Sequence, residues 1–290
     1  MYSKMYVSYL VESRMYSWLY GQRWFQRAFK ADKVRLVRNF LDATGLCAID
    51  PTLKLDQIVR RFLLGDTLRQ RWLGKFVANP SCLRDLIAVQ GQENLERALQ
   101  LKRGVILVMT HAYATHLVPP WLSVTRAEPQ LTINYRRKIG AAKINNPKAA
   151  STKGNNFSRA TEIYEAMNCL RKNGIVGILS DGYKGEKQIV LQLYGHNRAF
   201  RLGFAELALQ TGAVVLPVSV RLDLDGRVQL IYHLPLHSGE ANDEHGRRVE
   251  SLVRQYVSFL ASEWAAAPGD ITQKHVREYL SSTKDVLPQD

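Results

Sequence analysis

Five consecutive apolar residues, Val105 to Met109, sit between Gly104 and a Thr110-His111 pair. A run that short, with no polar residue inside it, matches neither the stripe of a surface helix nor the alternation of a half-exposed strand. It matches a strand covered on both faces, and such strands belong to parallel sheets flanked by helices. The same texture returns at 175–179 and 214–222, with further strand signals at 131–135, 189–195 and 228–236. Helical patterns fill 157–174, 201–212 and 246–268, and glycine closes the first two. Strands that alternate with helices predict an α/β fold, with a mixed, mostly parallel sheet flanked by helices.

Residues 33–100 read as a series of helices, the stretch 81–89 included. The expected organisation is an N-terminal helical segment, 1–82, packed on an α/β domain, 83–290, as one domain overall. Residues 140–156, rich in Gly, Asn, Lys and Ala, suit a long mobile loop. In the first thirty residues, Tyr2, Tyr6, Tyr9, Tyr16, Tyr20 and Trp24 keep returning to one helical face. Residues 1–40 also carry eight Lys or Arg against two acidic residues. Such a helix packs its rings on the domain or lies in the interface of an anionic bilayer, and both hold if different faces are used. No apolar stretch is long enough to span a membrane and no secretory leader pattern is present. The expected location is cytoplasmic, peripheral on the inner face of the cell membrane.

Charge narrows the partners. Lys and Arg number 40 against 26 Asp and Glu, a formal charge of +14. An excess of that size favours nucleic acid, anionic lipid, or an acidic protein or coenzyme. No zinc-finger spacing, RNP box or basic zipper supports nucleic acid. The three cysteines, Cys47, Cys82 and Cys169, form no CxxC and no disulfide framework.

His111 is where chemistry is expected. It follows a buried strand directly, and open α/β sheets bind ligands at the C-terminal ends of their strands. An imidazole there suits general-base work, because its ordinary pKa lies near neutrality. A second histidine, His116, stands five positions on, and Asp181 follows the 175–179 strand at the matching place. Neighbouring strand ends converge, so Asp181 is a candidate partner for His111. The same three residues offer a metal-ligand set on paper, but the expectation is no metal. Tyr113 reads as a site-lining or packed ring, and Gly195 as a turn residue.

Several spaced segments resemble the lysophospholipid acyltransferase superfamily, and within it the late acyltransferases of lipid A, which transfer lauroyl or myristoyl groups. The resemblance covers about 83–240. It rests on VQGQENLERALQLKRGVILVMTH, on NYRRKIG, and on the block from LRKNGIVGILSDGYKG to GAVVLPVSVR. It implies direct acyl transfer from an acyl carrier protein or coenzyme A thioester to a hydroxyl or amine acceptor. The thioester is a co-substrate and no further cofactor is implied. The family motif pairs a His with an Asp or Glu five positions later. Carried over, His111 is the general base, and the carboxylate position is His116, so this chain has HxxxxH. Loss of the carboxylate from the analogous Ser-His-Asp geometry costs about 10⁴-fold in rate. Asp181 is the expected replacement. Under the resemblance Arg136 matches the family arginine and is expected to bind phosphate of donor or acceptor. Arg201 stands at a predicted helix start, where the family usually has small hydroxyl residues, and is expected to hold a carboxylate or phosphate. His196 lies nearest the family's acceptor-side loop. The competing reading is a catalytically degenerate thioester- or lipid-binding protein of the same fold.

Overall fold

Six strands make the central sheet of the computed structural model, which describes residues 4–50, 52–133, 159–182, 187–240 and 244–282. In spatial order they are β1 (Ile87–Gln90), β8 (Val228–Tyr232), β7 (Val214–Leu222), β2 (Val105–Met109), β4 (Ile175–Leu179) and β3 (Gln130–Thr132). β7, β2, β4 and β3 are mutually parallel, β8 runs against β7, and β1 runs with β8. β5 (Gln188–Leu193) and β6 (His196–Arg201) form a separate antiparallel hairpin. The fold is α/β with a mixed, mostly parallel sheet.

Every residue of β2 is buried. That explains its unbroken apolar run: β7 and β4 close its two edges and helices cover both faces of the sheet. The helices are α1 (Lys4–Gly21), α2 (Arg23–Phe29), α3 (Ala31–Thr44), α4 (Leu46–Ile49), α5 (Leu55–Ala78), α6 (Leu83–Leu86), α7 (Gln92–Gln100), α8 (Val118–Thr125), α9 (Arg159–Arg171), α10 (Gly203–Thr211), α11 (His245–Ala266) and α12 (Gln273–Ser282). No helix among the described residues is long and apolar enough to cross a membrane.

Three segments differ from the sequence-based reading. The helix expected over 81–89 stops after one turn, and Ile87–Gln90 becomes edge strand β1. Gly91 ends it at φ 66°, so close to β8 that a Cβ there would lie 2.1 Å from the Tyr232 carbonyl. Strand β6 was not anticipated. It forms because Tyr194 and Gly195, at φ 51° and 78°, make the two-residue turn that suits the right-handed twist of a hairpin. Helix α12 lies beyond the last expected helix. The expected loop at 140–156 lies outside the described residues.

Tyrosines tie α1 to α5 and, through Tyr9, to the turn between β7 and β8. Tyr6, Tyr9 and Tyr20 are buried. The Tyr9 ring meets Trp72 and Phe76 of α5 edge-on at 5.3 and 5.0 Å, and its hydroxyl donates to the Gly226 carbonyl at 2.6 Å. Tyr20 shares a 2.7 Å hydrogen bond with Thr67. The tyrosine face therefore packs inward. Tyr16 is half-buried, Trp24 is exposed, and Tyr2 lies outside the described residues.

Candidate active site

β2 and β4 lie side by side in parallel, with Met109 paired to Leu179. His111 and Asp181 each stand two residues beyond that pair. Side chains alternate along a strand with period two, and adjacent strands lie about 4.8 Å apart. Equivalent positions on the two strand ends therefore face the same side within reach of each other. The register persists past the strands, because the Ser180 N–H donates to the Met109 carbonyl at 3.0 Å.

The Asp181 carboxylate takes both donors that His111 offers on that side. The ring Nδ1–H meets Oδ1 in a short hydrogen bond, and the backbone N–H of His111 donates to Oδ2 at 2.8 Å. Asp181 is 1% exposed. Burial alone would raise its pKa, but the charges that His111 and His275 carry at low pH, with these hydrogen bonds, outweigh it and hold the carboxyl well below the usual range. With Nδ1 donating, the lone pair of the neutral imidazole sits on Nε2. Arg198, itself buried, donates to the Asp181 backbone carbonyl at 3.1 Å and steadies the loop that carries it. Its guanidinium carbon lies 5.6–5.9 Å from the ring centroids of Trp264, Tyr279 and Phe200.

A third residue completes the cluster. The His275 ring stacks on the His111 ring with centroids 3.7 Å apart and planes 18° from parallel. Ligand atoms of His111, Asp181 and His275 all lie within 4.8 Å of one another. Face-to-face imidazoles aim their in-plane lone pairs along parallel planes and not at a common point. Asp181 is also already engaged by two N–H donors. The trio is arranged as a stacked, hydrogen-bonded cluster and fits a bound cation poorly.

The other residues singled out in the sequence fall in several places. His116 is buried in the 3₁₀ turn Thr115–Leu117, and the carboxylate on His111 Nδ1 comes from Asp181. Tyr113 is a packed ring. It lies edge-on to Phe62 at 5.5 Å and so close to α5 that a Cβ on Gly65 would come within 2.5 Å of it. Arg201 ends strand β6 and does not open a helix, since α10 starts at Gly203. Its guanidinium lies 3.9 Å from where a Cβ on Gly182 would stand, which puts it beside the residue after Asp181. His196 lies 3.2 Å from the Ala43 carbonyl, and its ring stands edge-on to Tyr279 with centroids 6.1 Å apart. Arg136 lies outside the described residues. His275 and Arg198 were not anticipated, because nothing in their local spacing marks them.

A family model described as bacterial lipid A biosynthesis acyltransferase matches residues 73–267. The chain belongs to that family. No curated protein matches it. The matched region of this acyltransferase contains β2, β4 and β7, and with them His111 and Asp181. It stops short of the segment that carries His275.

Proposed function

We propose that this acyltransferase moves an acyl group from an acyl carrier protein or coenzyme A thioester to a hydroxyl or amine acceptor, with His111 as general base and Asp181 in place of the motif carboxylate. The observation that supports this reading is the buried Asp181 carboxylate on His111 Nδ1. A carboxylate there holds the imidazole in one tautomer and stabilises the imidazolium that forms. Nε2 takes the proton as the acceptor oxygen attacks the thioester carbonyl. The tetrahedral intermediate collapses, the C–S bond breaks, and the thiolate leaves with the proton returned from Nε2. A neutral amine acceptor attacks without prior deprotonation and gives its proton up afterwards. In this assignment Arg136 and Arg201 bind phosphate of donor or acceptor, and His116 shapes the turn behind His111.

The donor classes are acidic, which agrees with the formal charge of +14. A peripheral position on an anionic bilayer draws support from the outer face of α1. Val7, Val11, Met15 and Trp18 are each at least half exposed. At 100° per residue they fall within one arc of about 80°, and Lys4 and Arg14 lie on or beside it. An apolar stripe with flanking cations suits the headgroup region.

The test is product analysis with a panel of carrier-protein and coenzyme A thioesters, offered with hydroxyl and amine acceptors. Acylated acceptor from the wild type, reduced at least 10²-fold in folded His111→Ala, is the expected result. Retained thioester binding with no turnover from any pair would favour the degenerate binding protein. Free acid released without an acceptor would mean hydrolysis.

A further inference from the structure

Beyond the family-matched region, residues 270–275 are laced to the loop that carries His111. The Tyr113 N–H donates to the Asp270 carbonyl at 2.8 Å. Ala112 and Ile271 form an antiparallel bridge, and the Thr272 N–H donates to the His111 carbonyl at 3.0 Å. The Gln273 N–H then donates to the Tyr113 hydroxyl at 3.1 Å. This strap delivers the His275 ring flat against His111.

His275 is itself held on two sides. Its Nδ1 lies 2.9 Å from the Thr272 hydroxyl, and its Nε2 lies 3.4 Å from the Glu278 carboxylate. The residue is 3% exposed. An Nε2–H tautomer satisfies both partners without a charge. Burial, against the pull of Asp181, pushes the ring's pKa down to about 3. At neutral pH it therefore adds no positive charge beside the imidazolium that would form on His111.

We propose that His275 is a positioning residue for His111: a neutral plate, clamped by Thr272 and Glu278, that stops the His111 ring from swinging out of the plane in which Nδ1 meets Asp181. The effect on turnover rests on the function proposed above, whereas the effect on ring order does not. Without the plate, the ring loses the contact along one whole face. Misplacement of a reacting group by about 1 Å costs on the order of 10² in rate.

The experiment uses the full chain as wild type, His275→Ala and His275→Phe. Three readouts are taken: the low-field proton resonance of the His111–Asp181 hydrogen bond, the melting temperature, and kcat and KM. In folded His275→Ala the low-field resonance is expected to broaden or vanish. Its kcat should fall about 10- to 100-fold with KM changed less than about twofold. His275→Phe keeps a flat ring of similar size and is expected to restore both the resonance and most of kcat. Should the alanine variant fail to fold, Thr272→Val loosens the same clamp and is read by the same criteria. An intact resonance in folded His275→Ala overturns the proposal. So does a phenylalanine variant that folds yet is as impaired as the alanine variant, since the imidazole nitrogens would then be acting chemically. A lost resonance in His275→Ala alongside a fully active His111→Ala would leave the positioning role standing and sink the base assignment instead.

Discussion

At His111 the decisive detail is which ring nitrogen carries the proton. Asp181 settles it by accepting from Nδ1. Asp181→Asn keeps the size of the side chain and removes its charge, and an amide can present its NH₂ to the ring and favour the wrong tautomer. We expect kcat to fall about 10³- to 10⁴-fold with KM little changed, measured on the productive donor–acceptor pair. His116→Glu restores the family spacing in sequence only. It would set a carboxylate in a buried turn while Nδ1 is already occupied, so turnover should not rise and the melting temperature should drop. At this scale the sequence was informative wherever a residue's role followed from its distance past a strand. His111 and Asp181 both stand two residues beyond a pair of aligned strand ends, so their meeting was legible once those strands were taken as neighbours. His275 obeys no such rule. Its approach depends on backbone hydrogen bonds between segments far apart in the chain, and local pattern carries no trace of them.

Helix α1 shows how an element can be read correctly as a helix and incompletely as a surface. The tyrosine periodicity marked a face that packs, and the exposed stripe opposite it carries no aromatic repeat to draw notice. The two faces call for opposite mutational outcomes. Replacing Val7, Val11 and Trp18 together with serine should leave the melting temperature nearly unchanged, because surface changes are usually within about 0.5 kcal/mol each. The same variant should weaken flotation with anionic liposomes, and added salt should weaken what binding remains. On the inner face, Tyr9→Ala removes a buried ring and its bond to Gly226, at a cost of about 3–5 kcal/mol read from denaturant unfolding. Gly226 is part of the same joint. It sits at φ 92°, where a Cβ would come within 2.4 Å of Ser13, so Gly226→Ala should loosen α1 as well. Strand β1 escaped notice for a different reason. Four residues at a sheet edge, with only Ile87 buried, carry too little pattern to outweigh the helical signal just before them.

For the whole molecule, two buried groups in the strap give stability an unusual pH dependence. Burial pushes the Asp270 carboxyl up to about 7 from 3.8, although Arg61 and the Leu222 N–H both oppose the shift. Between those values the folded protein keeps a proton that the unfolded chain has released, so stability falls as pH rises through that range. His275 acts in the opposite sense. Its pKa is lowered from 6.5 to about 3, so in that window the folded protein lacks a proton that the unfolded chain holds. Its contribution is present above about pH 6.5 and is lost as pH falls toward 3. The two effects offset each other between about pH 4 and 6.5. Asp270→Asn should therefore uncover a stability that climbs with pH at up to about 1.4 kcal/mol per unit over that interval. His275→Phe should uncover one that declines at a similar slope. Urea unfolding at pH 4.5, 5.5 and 6.5 distinguishes the three proteins.

The strap also sets an order in time. A ribosome that adds about 5–20 residues per second delivers His111 on the order of ten seconds before His275. During that interval β2 can form with His111 already in place, yet neither the hydrogen bonds from 272 and 273 nor the stacked ring is available to hold it. A nascent chain thus carries His111 without His275 stacked on it. If His275 has the role inferred for it, competence arrives late in synthesis, and a partly made acyltransferase is a poor catalyst.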